Sequence, residues 1–113
     1  LKSFRCKYAN FKKASLSGLS KKLEILDIRD ARIKSVAELS KKLTLLDLSG
    51  NDISRFPNFS YLKKLEILDL RNNPITSFSK GLPPPTTQIY CNLPEGVSYP
   101  DYLKKSKIKS FLD

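Results

Sequence analysis

Histidine is absent from this chain of 113 residues, cysteine occurs twice and glycine four times, and acidic residues number 11 against 21 Lys and Arg. Each shortage removes a class of function. Without His the commonest general base and any His-containing metal site are missing, and the carboxylates that align are expected on an open sheet, not in a desolvated cleft; the few Gly form no phosphate-cradling loop, and no cluster has metal-ligand spacing. No cofactor, metal or small-molecule substrate is expected, and the chain is not expected to be an enzyme. No apolar run approaches the roughly 18 residues of a membrane span, and no basic, then apolar, then small-residue leader opens the sequence. A soluble chain without membrane contact is expected. The first residue is Leu1, so residues upstream of it are expected to have been removed or left out.

What remains is repetition. The stretch Leu65-Glu66-Ile67-Leu68-Asp69-Leu70-Arg71-Asn72-Asn73-Pro74-Ile75 recurs as Leu23-x-x-Leu26-x-Ile28-x-x-Ala31-x-Ile33 and as Leu43-x-x-Leu46-x-Leu48-x-x-Asn51-x-Ile53. A degenerate copy opens the chain at Leu1-x-x-Phe4-x-Cys6-x-x-Ala9-x-Phe11. The first positions fall at Leu1, Leu23, Leu43 and Leu65, so successive copies are 22, 20 and 22 residues long. A fifth, poorer copy centres on Ile89-Tyr90-Cys91-Asn92, with Pro94 where the others carry Asn or Ala. In-phase copies of this length describe units that bury their apolar face only by stacking on one another. With 40% hydrophobic residues the chain makes one domain of this kind.

The pattern L-x-x-L-x-L-x-x-N-x-L resembles the leucine-rich repeat family, in its short intracellular class. The resemblance implies an α/β solenoid over residues 1–98, with a curved parallel β-sheet on the concave side and 3₁₀ or irregular returns on the convex side. Val36, Leu39, Phe56, Phe59, Phe78 and Leu82 are expected to close the core from behind. Pro57, Gly81 and Pro83-Pro84-Pro85 argue against long helices there. Residues 99–113 break the repeat and resemble the short C-terminal capping helix of the family, its apolar side supplied by Tyr102, Leu103, Ile108, Phe111 and Leu112. The consensus Asn falls at Asn51 and Asn73 but is Ala at positions 9 and 31, so the first two turns are expected to be looser. The edge of the first strand needs a cover, from upstream residues or a partner.

The register places Cys6 and Cys91 at one inward position of the first and last strands. Four steps of about 4.8 Å separate them by roughly 19 Å, beyond the ~7 Å limit for a disulfide. Two buried, reduced thiols and a cytoplasmic or nuclear location are expected, since cysteine-clustered caps of extracellular repeat proteins are missing.

Two candidate sites follow from the same register. Outward residues of the sheet align as Ser3, Ile25, Leu45, Ile67 and Gln88; Arg5, Asp27, Asp47, Asp69 and Tyr90; and Lys7, Arg29, Ser49, Arg71 and Asn92. An aliphatic column beside stacked Asp and Arg fits a docking strip for a basic, partly apolar segment of a protein subunit. Equally, these are consensus positions whose Asp and Arg satisfy one another. Like charges on adjacent strands repel by on the order of 1 kcal/mol at surface dielectric unless the arginines neutralise them.

The second site is a row of lysine pairs, Lys21-Lys22, Lys41-Lys42 and Lys63-Lys64, each just before the first consensus Leu, extended onto the cap by Lys104 and Lys105. With a net charge of +10, this edge suits the phosphates of RNA, contacted through the backbone with low specificity; the alternative is a solvated edge that maintains solubility. No motif for sequence-specific base reading is present, and Tyr8, Tyr61 and Tyr90 are open to stacking on bases or to packing. The reading is a non-catalytic adaptor, its basic edge on RNA within a ribonucleoprotein such as a ribosome or spliceosomal particle and its concave sheet on a protein subunit. The alternative is a regulatory or scaffold subunit that binds only a protein partner.

Overall fold

A computed structural model of the chain describes residues 3–7, 21–36, 38–92 and 107–109. Its strands are β1 (Ser3–Lys7), β2 (Ile25–Arg29), β3 (Leu45–Asp47), β4 (Arg55–Phe56), β5 (Ile67–Leu70), β6 (Ser77–Phe78), β7 (Gln88–Cys91) and β8 (Lys107–Lys109). Six of them form one sheet in the order β1-β2-β3-β5-β7-β8, every pair parallel. Ser3, Ile25, Leu45, Ile67 and Gln88 stand in register, as do Arg5, Asp27, Asp47, Asp69 and Tyr90. Two of the columns expected from the repeat spacing are thus present residue for residue.

The strands form because alternate side chains have a core to enter. Leu26, Ile28, Leu46, Leu48, Leu68, Leu70, Ile89 and Cys91 are buried, joined by Leu23, Leu43 and Leu65 at the turns that lead into the strands. Burying each such side chain contributes about 1.5 to 3 kcal/mol. From the convex side Leu39, Phe56 and Phe59 are fully buried, while Val36, Phe78 and Leu82 pack partly buried against the same cluster. The returns differ from expectation in one respect. Beside irregular chain they contain a second, two-stranded parallel sheet, β4 with β6, where the Phe56 and Phe78 rings stack with centroids 6.0 Å apart. No 3₁₀ turn occurs among the described residues.

After each strand the chain must reverse, and it does so through a left-handed residue at one position: Asp30 (φ 54°), Gly50 (φ 70°) and Asn72 (φ 59°). Asp, Gly and Asn are the residues that enter this region at least cost. At Gly50 the requirement is double, because a Cβ there would stand 2.0 Å from Asp30 Oδ1. The amides of the reversal are buried and find acceptors in the next turn. Asn51 Oδ1 accepts from Ala31 N (3.0 Å) and Ile33 N (3.1 Å), while its Nδ2 donates toward the carbonyls of Ile28 and Leu48, each 2.9 Å away. Asn73 repeats the arrangement, accepting from Ile53 N and donating to Leu48 and Leu70.

The expected looseness of the Ala31 turn takes another form. Its amides are satisfied by Asn51, and the backbone adds a second left-handed residue, Arg32 (φ 59°). In the last turn Asn92, not Pro94, takes up the carboxamide role, accepting from Asn72 N at 2.6 Å.

The expected capping helix is not seen among the described residues. Lys107–Lys109 forms a strand that adds to β7, with Ile108 opposite Ile89. The sequence Lys-Ile-Lys alternates with the two-residue period of a sheet, so it extends the stack instead of turning into a helix. The other residues of the expected cap lie outside the described residues.

Removing the Asn51 carboxamide takes the acceptor from two buried amides, Ala31 N and Ile33 N, and a donor from the Ile28 carbonyl, while Leu48 O keeps its bond from Asn73. Asn51→Ala should lower unfolding free energy by about 3 kcal/mol, from stranded groups at ~1 to 3 kcal/mol each with some relief by water. Urea titration checks this, with exposed Asp52→Ala as a near-neutral control; equal losses in the two variants would remove the ladder from the account.

Candidate functional site

The outward face of the sheet has an apolar side and a charged side. Ile25 and Leu45 are half-buried, while Ile67 is 37% exposed and is the one large hydrophobic side chain exposed among the described residues. The column continues to Gln88, whose Oε1 accepts from the Tyr90 hydroxyl at 3.1 Å, and to Lys107 in register on β8.

Beside it stands the aspartate column, and here the expectation of outward, exposed carboxylates needs correction. Asp27 and Asp69 are only 5% and 6% exposed. Strands about 4.8 Å away on either side shield them, and an arginine two residues along lies across each. Arg71 clamps Asp69 through Nε (3.0 and 3.1 Å) and Nη2 (2.6 Å), and its N–H also donates to Asp69 Oδ1 at 3.0 Å. Arg29 Nε lies 3.0 Å from Asp27 Oδ1. Arg71 further sits over the Tyr90 ring, 5.7 Å from its centroid. The Asp and Arg of these strands therefore satisfy one another, as one of the two readings of the columns held.

Asp47, on the central strand, is different. Burial raises its carboxyl above the ordinary range; hydrogen bonds from Ser49 oppose this, and the Asp69 and Asp27 charges add to it.

All six predicted lysines that are described, Lys21, Lys22, Lys41, Lys42, Lys63 and Lys64, are exposed. They occupy the turns leading into β2, β3 and β5, and the row ends where Pro85-Thr86 stands before β7. Lys21 Nζ donates to the Glu38 carbonyl at 2.5 Å, so the ridge is partly tied to the return. Lys104 and Lys105 lie outside the described residues, as does Tyr8.

Sequence reasoning left Tyr61 open between stacking and packing, and it missed the role of Ser40 on this flank. The Tyr61 hydroxyl accepts from Leu39 N at 2.9 Å, which makes Tyr61 a packing residue bridging adjacent returns. The Ser40 hydroxyl lies 2.8 and 2.7 Å from the carbonyls of Lys21 and Leu23 and accepts from Lys42 N, fixing the lysine-bearing turns to one another. The signal for both was a polar side chain inside an apolar return. An open cleft of about 510 Å³ beside them is lined by Val36, Glu38, Lys41, Pro57, Asn58, Phe59 and Tyr61.

Residues 41–84, which contain β3 to β6, match the family of Leucine Rich repeats in two copies. Residues 41–84 of the chain are leucine-rich repeats. No curated protein and no solved structure is a significant match to it. Among the described residues, no helix is long and apolar enough to cross a membrane. The leucine-rich repeat register also accounts for Cys91, a buried free thiol at the inward position of β7; the side chain of Cys6 lies outside the described residues.

Burial pushes the Cys91 thiol up from 9.0 to about 12. Because the folded-state pKa lies above the unfolded one, the thiol contributes stability that is fully present below the unfolded value and is lost as pH rises through the folded one. The urea midpoint of the wild type should therefore fall more steeply than that of Cys91→Val between pH 9.0 and about 12. Native alkylation near pH ~8 should be slow. Rapid labelling of the folded chain would contradict this placement.

Proposed function

We propose that this leucine-rich repeat chain is a non-catalytic adaptor that docks a segment of a protein partner on its concave sheet. The observation that carries the proposal is Ile67, exposed beside Leu45 and Ile25 on a sheet where Asp27 and Asp69 are each held by an arginine of the same repeat. An aliphatic strip with fixed polar groups along one side offers area to bury and groups to set register. Ile25, Asp27, Arg29, Leu45, Asp47, Ser49, Ile67, Asp69, Arg71 and Tyr90 make up the face. A location inside the cell, cytoplasmic or nuclear, fits a free thiol held reduced in the core.

The lysine edge supports a second reading, RNA contact within a ribonucleoprotein, because three lysine pairs are exposed at one place in successive repeats. Phosphate contact is salt-dependent, with a slope near −0.7 per neutralised phosphate on single strands.

Affinity capture from the native cell separates the two readings. Proteins retained by the wild type should survive nuclease treatment and be lost with Ile67→Glu, a change at an exposed position that leaves circular dichroism unaltered. Reversal of Lys41, Lys42, Lys63 and Lys64 to Glu should leave those proteins bound. If nuclease or the lysine reversal releases them and Ile67→Glu does not, the RNA reading takes its place.

A further inference from the structure

Two residues beyond each stacked aspartate the sequence reads Arg29, Ser49 and Arg71. On the flanking strands that residue supplies a guanidinium to its own carboxylate, at 3.0 Å on Asp27 and 2.6 Å on Asp69. On the central strand it supplies none. Ser49 reaches Asp47 Oδ1 with its N–H at 3.0 Å. The closest recorded cation to Oδ2 is Arg29 Nε at 3.9 Å, a group already engaged with Asp27. The difference shows in exposure: the Asp47 side chain is 20% exposed, against 7% for Asp27 and 9% for Asp69. The described side chains of this row thus set three carboxylates against two guanidiniums.

We propose that this gap receives a cationic side chain of the docked partner, an arginine or lysine on an extended protein segment, flanked by aliphatic residues that cover Leu45 and Ile67. The inference rests on the docking face proposed above and names what that face selects. Arg29 and Arg71 are two strand spacings apart, about 9.6 Å, so a guanidinium between them meets Asp47 without displacing either. Arg29 and Arg71 each engage the aspartate of their own strand, and Asp47 has no arginine two residues along. Leu45 lies two residues before Asp47 on the same side of β3, and Ile67 stands beside Leu45 in register. An extended segment with its cation over Asp47 therefore places an aliphatic residue two positions away on that strip. Burial raises the Asp47 carboxyl, against hydrogen bonds from Ser49 that lower it. A metal ion is a poorer fit, since the three carboxylates do not form a group able to hold one among the described residues.

The test uses a random library of displayed dodecapeptides selected on the full chain. Bound sequences should carry Arg or Lys with an aliphatic residue two positions away. Each is then titrated against the wild type, Ser49→Arg, Ser49→Gln and Ile67→Glu. Ser49→Arg fills the gap from within and should weaken binding at least about tenfold, the scale of one charge-assisted hydrogen bond, whereas Ser49→Gln, of comparable bulk but uncharged, should weaken it less. Should Ser49→Arg fail to fold by circular dichroism, Asp47→Asn carries the same expectation. Selected peptides without a cation, or equal affinity for the wild type and the gap variants, would overturn the inference. If such peptides still lose binding on Ile67→Glu, the docking face stands and the gap assignment alone is wrong. No selected peptide, or peptides indifferent to Ile67→Glu, removes the docking face and the gap with it.

Discussion

Everything in this molecule depends on where the buried amides of one turn find their acceptors. A strand followed by a sharp reversal encloses backbone N–H groups that water cannot reach and that the same turn cannot satisfy. The carboxamide of Asn51 reaches back from its own turn to Ala31 and Ile33, and that of Asn73 reaches back to Ile53. Among the described residues, the turns at Ala31 and Ile53 take acceptors from the repeat that follows. This is why the repeats stack, why their sheet is parallel, and why the outward columns fall into register without long side chains to align them.

Much of this could be read in the sequence, because a repeat multiplies weak local signals. The leucine spacing placed Leu26, Leu46, Leu68 and Ile89 in one column, and the structure pairs them in that order. The same spacing placed Cys91 inside. What escaped depended on contacts between turns. Pairing of Asp27 and Asp69 with Arg29 and Arg71 was one of the two readings of the columns, but the burial that neighbouring strands add is displayed by no single copy. Phe56 and Phe78 were expected as core closures but not as members of a second sheet, since a two-residue strand leaves no periodicity to detect. Likeness to a capping helix set the expectation for residues 99–113, whereas Lys107–Lys109 pairs as a strand with β7.

The candidate face was legible as a set of positions but not as a distribution of charge. Two of its three columns stand in register on the strands, yet the split between paired and underpaired aspartates rests on distances of 2.6, 3.0 and 3.9 Å. A difference of about an ångström separates a charge-assisted hydrogen bond from a screened attraction. Two identical Asp-x-Arg copies and one Asp-x-Ser copy gave notice that the centre of the face differs. Only the packing of the strands turned that difference into exposure.

Repetition also determines where such a protein can vary. The inward columns must stay apolar and of similar volume, because each side chain packs against its equivalents on both sides, and the reversal must keep a left-handed residue, here Asp30, Gly50 and Asn72. Ala31 in place of Asn is accommodated by a second left-handed residue at Arg32, so even that freedom is bought by local rearrangement of the backbone. The outward columns carry no comparable obligation. A residue that departs from its column there, such as Ser49 between two arginines, Gln88 after three aliphatics or Pro85-Thr86 after three lysine pairs, is not forced by the stack. In a solenoid the fold is written in what the copies share, and the chemistry open to a partner lies at the positions where one copy differs from its neighbours.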